Sequence, residues 1–131
     1  MRKVSVWIVV AVSALAAAAL ALAPTGMAKD GDVLVRGSCT GGTSSKLKLS
    51  EENGGIEVEF EVDQNRNGVR WRVAIFRNGT RVARLTRVTR GPSGSFEARI
   101  VTGNRAGNDA FRARAVSPRG DVCAARATWT A

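Results

Sequence analysis

Between Gly55 and Arg77 the chain alternates strictly between apolar and polar positions, twice over. Ile56, Val58, Phe60 and Val62 alternate with Glu57, Glu59, Glu61 and Asp63. After the polar run Gln64-Asn65-Arg66-Asn67-Gly68, the residues Val69, Trp71, Val73 and Ile75 enclose Arg70 and Arg72. Successive side chains of a strand point to opposite faces, so a period of two predicts two half-buried strands. Two arrangements fit them. As a hairpin, Glu61 would face Arg70, Glu59 would face Arg72, and Phe60 would face Trp71. As strands of two packed sheets, the acidic and basic rows would point to opposite solvents and never touch.

The same period runs through the rest of the chain. Val33, Val35 and Cys39 share one parity, and Leu47 and Leu49 alternate with Lys46 and Lys48. Glu51-Glu52-Asn53-Gly54-Gly55 reads as a turn. Asn78-Gly79 reads as a type I′ hairpin, which needs positive φ at both central residues. Arg81, Arg84, Arg87 and Arg90 recur every third residue. In a strand that spacing alternates faces, so a bulge or break is expected near Arg84 to Arg87. Phe96, Ala98 and Ile100 form another inward set. Phe111, Ala113 and Ala115 follow, with Arg112 and Arg114 outward, and then Cys123, Ala125, Ala127 and Trp129. Seven or eight short antiparallel strands separated by turns predict an all-β sandwich.

The first 28 residues stand apart. Met1-Arg2-Lys3 is basic, Val4 to Ala23 is apolar apart from Ser5 and Ser13, and Gly26-Met27-Ala28 offers small residues for cleavage. This is the layout of a signal peptide over 1–28, leaving a domain at 29–131; a retained anchor is the alternative. Export places the chain in a secreted or extracytoplasmic setting. There Cys39 and Cys123, both on inward parities, are expected to pair as a disulfide. Loss of Arg2 and Lys3 with the leader would take the net charge from +9 to +7.

The run Asp109-Ala110-Phe111-Arg112-Ala113-Arg114-Ala115 resembles the Asp-x-Tyr-x-Cys-x-Ala pattern of the sixth strand in immunoglobulin domains. Phe111 stands at the corner Tyr position and Ala113 at the Cys position, while Trp71 stands at the core Trp position of the third strand. The resemblance implies an immunoglobulin-like sandwich, with Gly55–Asp63 and Val69–Arg77 in different sheets. It departs from the pattern in lacking the inter-sheet cysteines and the corner hydroxyl; a disulfide between the first and last strands would take their place. With its Lys-Leu-Lys-Leu-Ser-Glu-Glu segment, the whole chain also resembles short secreted proteins of actinobacteria, a likeness that implies export and brings no chemistry with it.

Candidate chemistry is sparse. Glu57, Glu59 and Glu61 would support acid–base work only if their surroundings split their pKa values, and a uniform exposed row does not. A hydrolase using Glu59 or Asp63 would need a hollow beside them. Asp63, Asn65, Asn67 and Gly68 match the first half of a calcium loop, yet the twelfth position is Ala74 and Arg66 adds a repelling charge. These three oxygen donors are weak candidates, and no metal or other cofactor is expected. Arg70, Arg72, Arg112 and Arg114 head an arginine-rich surface that also takes in Arg77, Arg81, Arg84, Arg87, Arg90 and Arg99. Such a surface suits a polyanion; arginine and alanine abundance from a GC-rich coding sequence is the competing explanation. Arg119-Gly120-Asp121 and the sequon Asn78-Gly79-Thr80 both fit turns in their own right. With no His, no Tyr and no serine in a nucleophile elbow, an enzyme is not expected.

The expectation is therefore a secreted noncatalytic binding or structural module. Its partner is left open between a cell-envelope polymer and a protein, and no small-molecule substrate is expected. The second reading is a cationic surface protein that binds wall polymer, acidic glycan or nucleic acid.

Overall fold

The computed structural model describes residues 30–130, so the expected leader at 1–28 lies outside the described residues. The strands are β1 (Val33–Arg36), β2 (Ser38–Cys39), β3 (Ser44–Glu52), β4 (Gly55–Asp63), β5 (Arg70–Arg77), β6 (Thr80–Val88), β7 (Ser95–Gly103), β8 (Asn108–Val116) and β9 (Val122–Thr130). They form two antiparallel sheets, ordered β1-β3-β4-β7 and β2-β9-β8-β5-β6. Among the described residues the architecture is all-β and sandwich-like, with nine strands where seven or eight were expected.

The extra strand arises at the start. Val33, Val35 and Cys39 do not lie on one strand: β1 joins the four-stranded sheet and β2 the five-stranded one. The chain changes sheets at Gly37, whose N–H donates to the Ser45 carbonyl at 2.9 Å. A Cβ at Gly37 would lie 2.2 Å from Ser45 Oγ and 2.6 Å from the Ala124 carbonyl oxygen, so the crossing has room only for glycine.

The inward residues behave as the alternation predicts. Leu47, Leu49, Ile56, Val58, Phe60, Val62, Trp71, Ile75, Ala98, Ala113 and Ala115 are completely buried. Each large member contributes ~1.5–3 kcal/mol by leaving water. Trp71 meets Phe96 of β7 across the core, ring centroids 6.0 Å apart. Two hairpins close with Asn-Gly pairs at positive φ: Asn53 and Gly54 (47° and 80°), and Asn78 and Gly79 (49° and 82°). Both have the type I′ signature.

β4 and β5 lie in different sheets. Glu61 faces Lys46 and Glu97, not Arg70, so the hairpin arrangement does not form. The crossing between them is held by Thr89, 1% exposed, whose hydroxyl donates to the Arg66 carbonyl (2.6 Å) and accepts the Val69 N–H (3.0 Å). The Trp71 indole N–H donates to Gln64 Oε1 at 3.2 Å, which ties the same loop to the core.

The bulge expected near Arg84 to Arg87 sits earlier. Ile75 faces Ala83 and Phe76 faces Arg81, so Val82 is the supernumerary residue. Pairing is regular from Ala83 to Val88.

Cys39 and Cys123 form the expected disulfide, as directly opposed residues of β2 and β9. It staples the two-residue β2 to the last strand inside one sheet. Closing a loop of 84 residues contributes up to ~4.5 kcal/mol in the chain-entropy account. A disulfide is consistent with an extracellular location.

Candidate functional site

The register of the five-stranded sheet fixes what its outer face carries. One row across β9, β8, β5 and β6 reads Arg126, Arg112, Phe76, Arg81. The next reads Ala124, Arg114, Ala74, Arg84, and the third Val122, Val116, Arg72, Thr86. Arg70 opposite Val88 ends the series. Seven arginines thus share one face, and no strand position on it holds a carboxylate. Among the described residues none of the seven is in an ion pair.

The bulge is what brings the arginines of β6 together. Residues three apart on a regular strand point to opposite faces. Because Val82 is looped out of the pairing, Arg81 and Arg84 both face outward, opposite Phe76 and Ala74. Arg87 then takes an inward parity, opposite Trp71, and reaches over the side of the sandwich to the Glu97 carbonyl (Nε, 3.3 Å).

Floor and walls differ in character along β5. The Arg112 guanidinium lies over the Phe76 ring, 4.3 Å from its centroid. Arg112 also faces Arg126 directly across the strand pair, a like-charge juxtaposition that costs a fraction of a kcal/mol to ~1 kcal/mol. Around Ala74 the small side chain leaves a hollow of about 260 Å³, walled by Arg72, Arg84, Arg114 and Val116. A larger one, about 610 Å³, adjoins Phe76, Ala110, Arg112, Arg126 and Thr128.

The four sequence candidates Arg70, Arg72, Arg112 and Arg114 therefore fall on one face, and Arg81, Arg84 and Arg126 join them. Arg126 was missed, although it alternates with inward Ala125 and Ala127 as Arg112 does with Phe111 and Ala113. Four of the wider arginine set leave the surface patch. Arg90 lies beyond the end of β6 and pairs with Ser95 in an isolated bridge. Arg87 turns inward as described, and Arg99 belongs to the other sheet. Arg77 is buried at 6% exposure and forks onto Asp109, with Nε–Oδ1 at 2.9 Å and Nη2–Oδ2 at 2.8 Å.

The outer face of the four-stranded sheet is different. Glu57, Glu59 and Glu61 are not a free, uniform row. Lys46 pairs with Glu61 at 3.4 Å and Lys48 with Glu59 at 2.7 Å. Arg99 holds Glu57 Oε2 through Nε (2.8 Å) and Nη2. Burial raises the Glu59 carboxyl pKa above the usual range, helped by its hydrogen bond with Glu57. Burial also works against ionised Glu57, but hydrogen bonds from Glu59 and Arg99 hold it low. The pair is thus split, contrary to the uniform row expected from sequence. Glu59 borders a hollow of only about 10 Å³, whereas Asp63 and Glu61 border one of about 280 Å³ together with Arg36 and Lys46.

The loop candidates are engaged locally. Asp63 Oδ1 accepts the Asn65 N–H at 3.1 Å, and the Asn67 amide lies against Gly91. Among the described residues no three His, Cys, Asp or Glu side chains are grouped to hold a metal ion. Asn78 uses its side chain to donate to Asp109 (3.0 Å) and to accept the Ala110 N–H (2.8 Å), so the sequon asparagine is a structural clamp. Asp121 is tied to Ser117, whose hydroxyl accepts its N–H at 3.1 Å, and Arg119-Gly120-Asp121 is part of a closed turn.

Scans of protein-family models, of curated proteins and of solved structures each give no match to this chain.

Proposed function

We propose that the chain is an extracytoplasmic, noncatalytic binding module on an immunoglobulin-like sandwich, and that its ligand is an anionic polymer. The observation that carries the ligand class is the outer face of the five-stranded sheet: seven arginines, no carboxylate, and a like-charged Arg112–Arg126 pair left uncompensated. On the opposite face, carboxylates on β4 are met by Lys46, Lys48 and Arg99. A composition effect alone would spread unpaired arginine evenly; among the described residues the other face carries one arginine outside the ion pairs, Arg36, against seven here, and this imbalance favours a role for the charge. The immunoglobulin-like reading is supported by the order β3-β4-β7 against β9-β8-β5-β6, with Trp71 buried on β5 and Phe111 and Ala113 inward on β8. The disulfide supports the compartment.

Location of charge, rather than its total, is the testable content. The triple variant Arg84→Gln, Arg112→Gln, Arg114→Gln should elute from immobilised heparin at much lower salt than the parent. Arg36→Gln, Arg105→Gln, Arg119→Gln removes the same charge elsewhere and should elute close to the parent. Equal losses from the two triples would reduce the binding to net charge. Release of the parent well below about 0.15 M salt, where the Debye length is still ~8 Å, would remove the polyanion reading altogether.

A further inference from the structure

We infer that the arginine face is a track for a linear phosphodiester polymer without bases, laid along β5 with one phosphate per pair of residues. This rests on the polyanion reading above and sharpens it. The observation is the registration of the arginines about a single strand. Phe76 lies between Arg81 and Arg112, Ala74 between Arg84 and Arg114, and Arg72 follows on the same face. The residues flanking each floor position stand two strand spacings apart, ~9–10 Å between backbones. Floor positions repeat every second residue, ~6.7 Å along the strand. The result is a short channel with two arginines on each side of Phe76 and Ala74, continued by Arg72, which stands on the floor itself between Thr86 and Val116. Its centre is the 260 Å³ hollow over Ala74.

That repeat discriminates among anions. In a polyol phosphate, successive phosphates are joined through an extended linker of several atoms, which can span one floor repeat. In inorganic polyphosphate a single bridging oxygen separates phosphorus atoms, so most charges fall between the arginine pairs. Guanidinium forks bind phosphate oxygens two at a time, which gives such registration an energetic meaning that a lysine point charge would lack. Nucleic acid has the phosphodiester but also needs a home for its bases. Single-strand binders supply exposed aromatic rings for stacking. Among the described residues Phe76 is the sole aromatic strand residue on this face, and Arg112 covers it. The track thus reads backbone charge and offers no uncovered aromatic ring for bases.

The test compares three polymers at equal phosphate concentration in about 0.15 M salt: poly(glycerol phosphate), inorganic polyphosphate and oligothymidylate. Poly(glycerol phosphate) should bind about tenfold more tightly than inorganic polyphosphate and at least as tightly as oligothymidylate. The charge-preserving variant Arg84→Lys, Arg114→Lys should lose about tenfold for poly(glycerol phosphate), the worth of one forked pair. Ala74→Leu, which fills the hollow without touching charge, should do the same; circular dichroism and thermal unfolding establish that both variants are folded. If all polymers bind alike and both variants bind like the parent, the track is wrong while the polyanion reading stands. Oligothymidylate binding tenfold more tightly than poly(glycerol phosphate) makes nucleic acid the ligand and overturns the inference. No binding to any of the three overturns both readings.

Discussion

Arg77 and Asp109 meet inside the protein through two parallel hydrogen bonds, with side chains 5% and 4% exposed. Each is the polar end of an inward row: Arg77 continues Trp71, Val73 and Ile75, and Asp109 precedes Phe111, Ala113 and Ala115. Arg77 also donates to the Gly103 carbonyl at 2.7 Å and lies over the Phe111 ring. Asp109 in turn accepts from Asn78, so the hairpin turn, β8 and the end of β7 converge on one ion pair. Breaking it from one side leaves a buried charge alone. Asp109→Ala and Arg77→Ala should each cost about 3–5 kcal/mol in urea unfolding, and Arg77→Met with Asp109→Leu together should cost much less than the sum.

The same pair sets an acid limit. Hydrogen bonds from Arg77, and then from Asn78, hold the Asp109 carboxyl below its usual range against the opposing effect of burial. A depressed folded pKa contributes stability above the unfolded value, near ~3.9, and that contribution is lost as pH falls through the folded value. Stability should therefore drop below about pH 4 in the parent. In Asp109→Asn the drop should be shallower, from a lower starting stability. Equal slopes in the two proteins would show that other carboxylates govern acid unfolding.

Gly37 should not tolerate a methyl group. An added Cβ would meet Ser45 Oγ and the Ala124 carbonyl well inside contact distance. Gly37→Ala should destabilise by roughly 1–3 kcal/mol, the usual cost of overpacking. Gly42→Ala, with nothing near its Cβ, is the control and should be close to neutral.

Thr89→Val replaces a buried hydroxyl that serves two backbone groups with a methyl that serves neither. The Val69 N–H and the Arg66 carbonyl would lose that partner, at about 1–3 kcal/mol in total. Hydrogen exchange at Val69 should accelerate in step. An unchanged melting temperature would mean that water replaces the hydroxyl without cost.

Deleting Val82 should be mild. Without it Arg81 and Ala83 become sequence neighbours, and the facing pairs Phe76–Arg81 and Ile75–Ala83 survive as regular register. Heparin retention should stay within about twofold, since the charges on the arginine face are unchanged. A large loss would mean that the bulge's local twist, and not only its count of residues, positions the arginines.

Much of this was readable from alternation, because period two is a direct record of which side of a strand a residue takes. It located the core, both Asn-Gly turns, the cysteine pair and the outward facing of Arg70, Arg72, Arg112 and Arg114. It misplaced what depends on partners distant in sequence. Glu57, Glu59 and Glu61 read as a bare acidic row because Lys46, Lys48 and Arg99 reach them only through sheet pairing. Arg77 read as surface because arginine at the end of a strand ordinarily is. Its inward parity was the available clue, and Asp109 shared it. The arginine triplet spacing signalled a bulge, yet its position depends on β5 pairing and so could not be fixed from β6 alone.

Sorting the charges onto two sides of a thin sandwich gives the domain an electric moment directed from the β4 carboxylates toward the β5 arginines. A body with such a moment is turned by an anionic surface before it touches, since the torque acts over a Debye length while contacts act over ångströms. The domain would arrive already lying flat. Its other face, with Leu34 and Val101 about half exposed, would then be the side presented to whatever comes next.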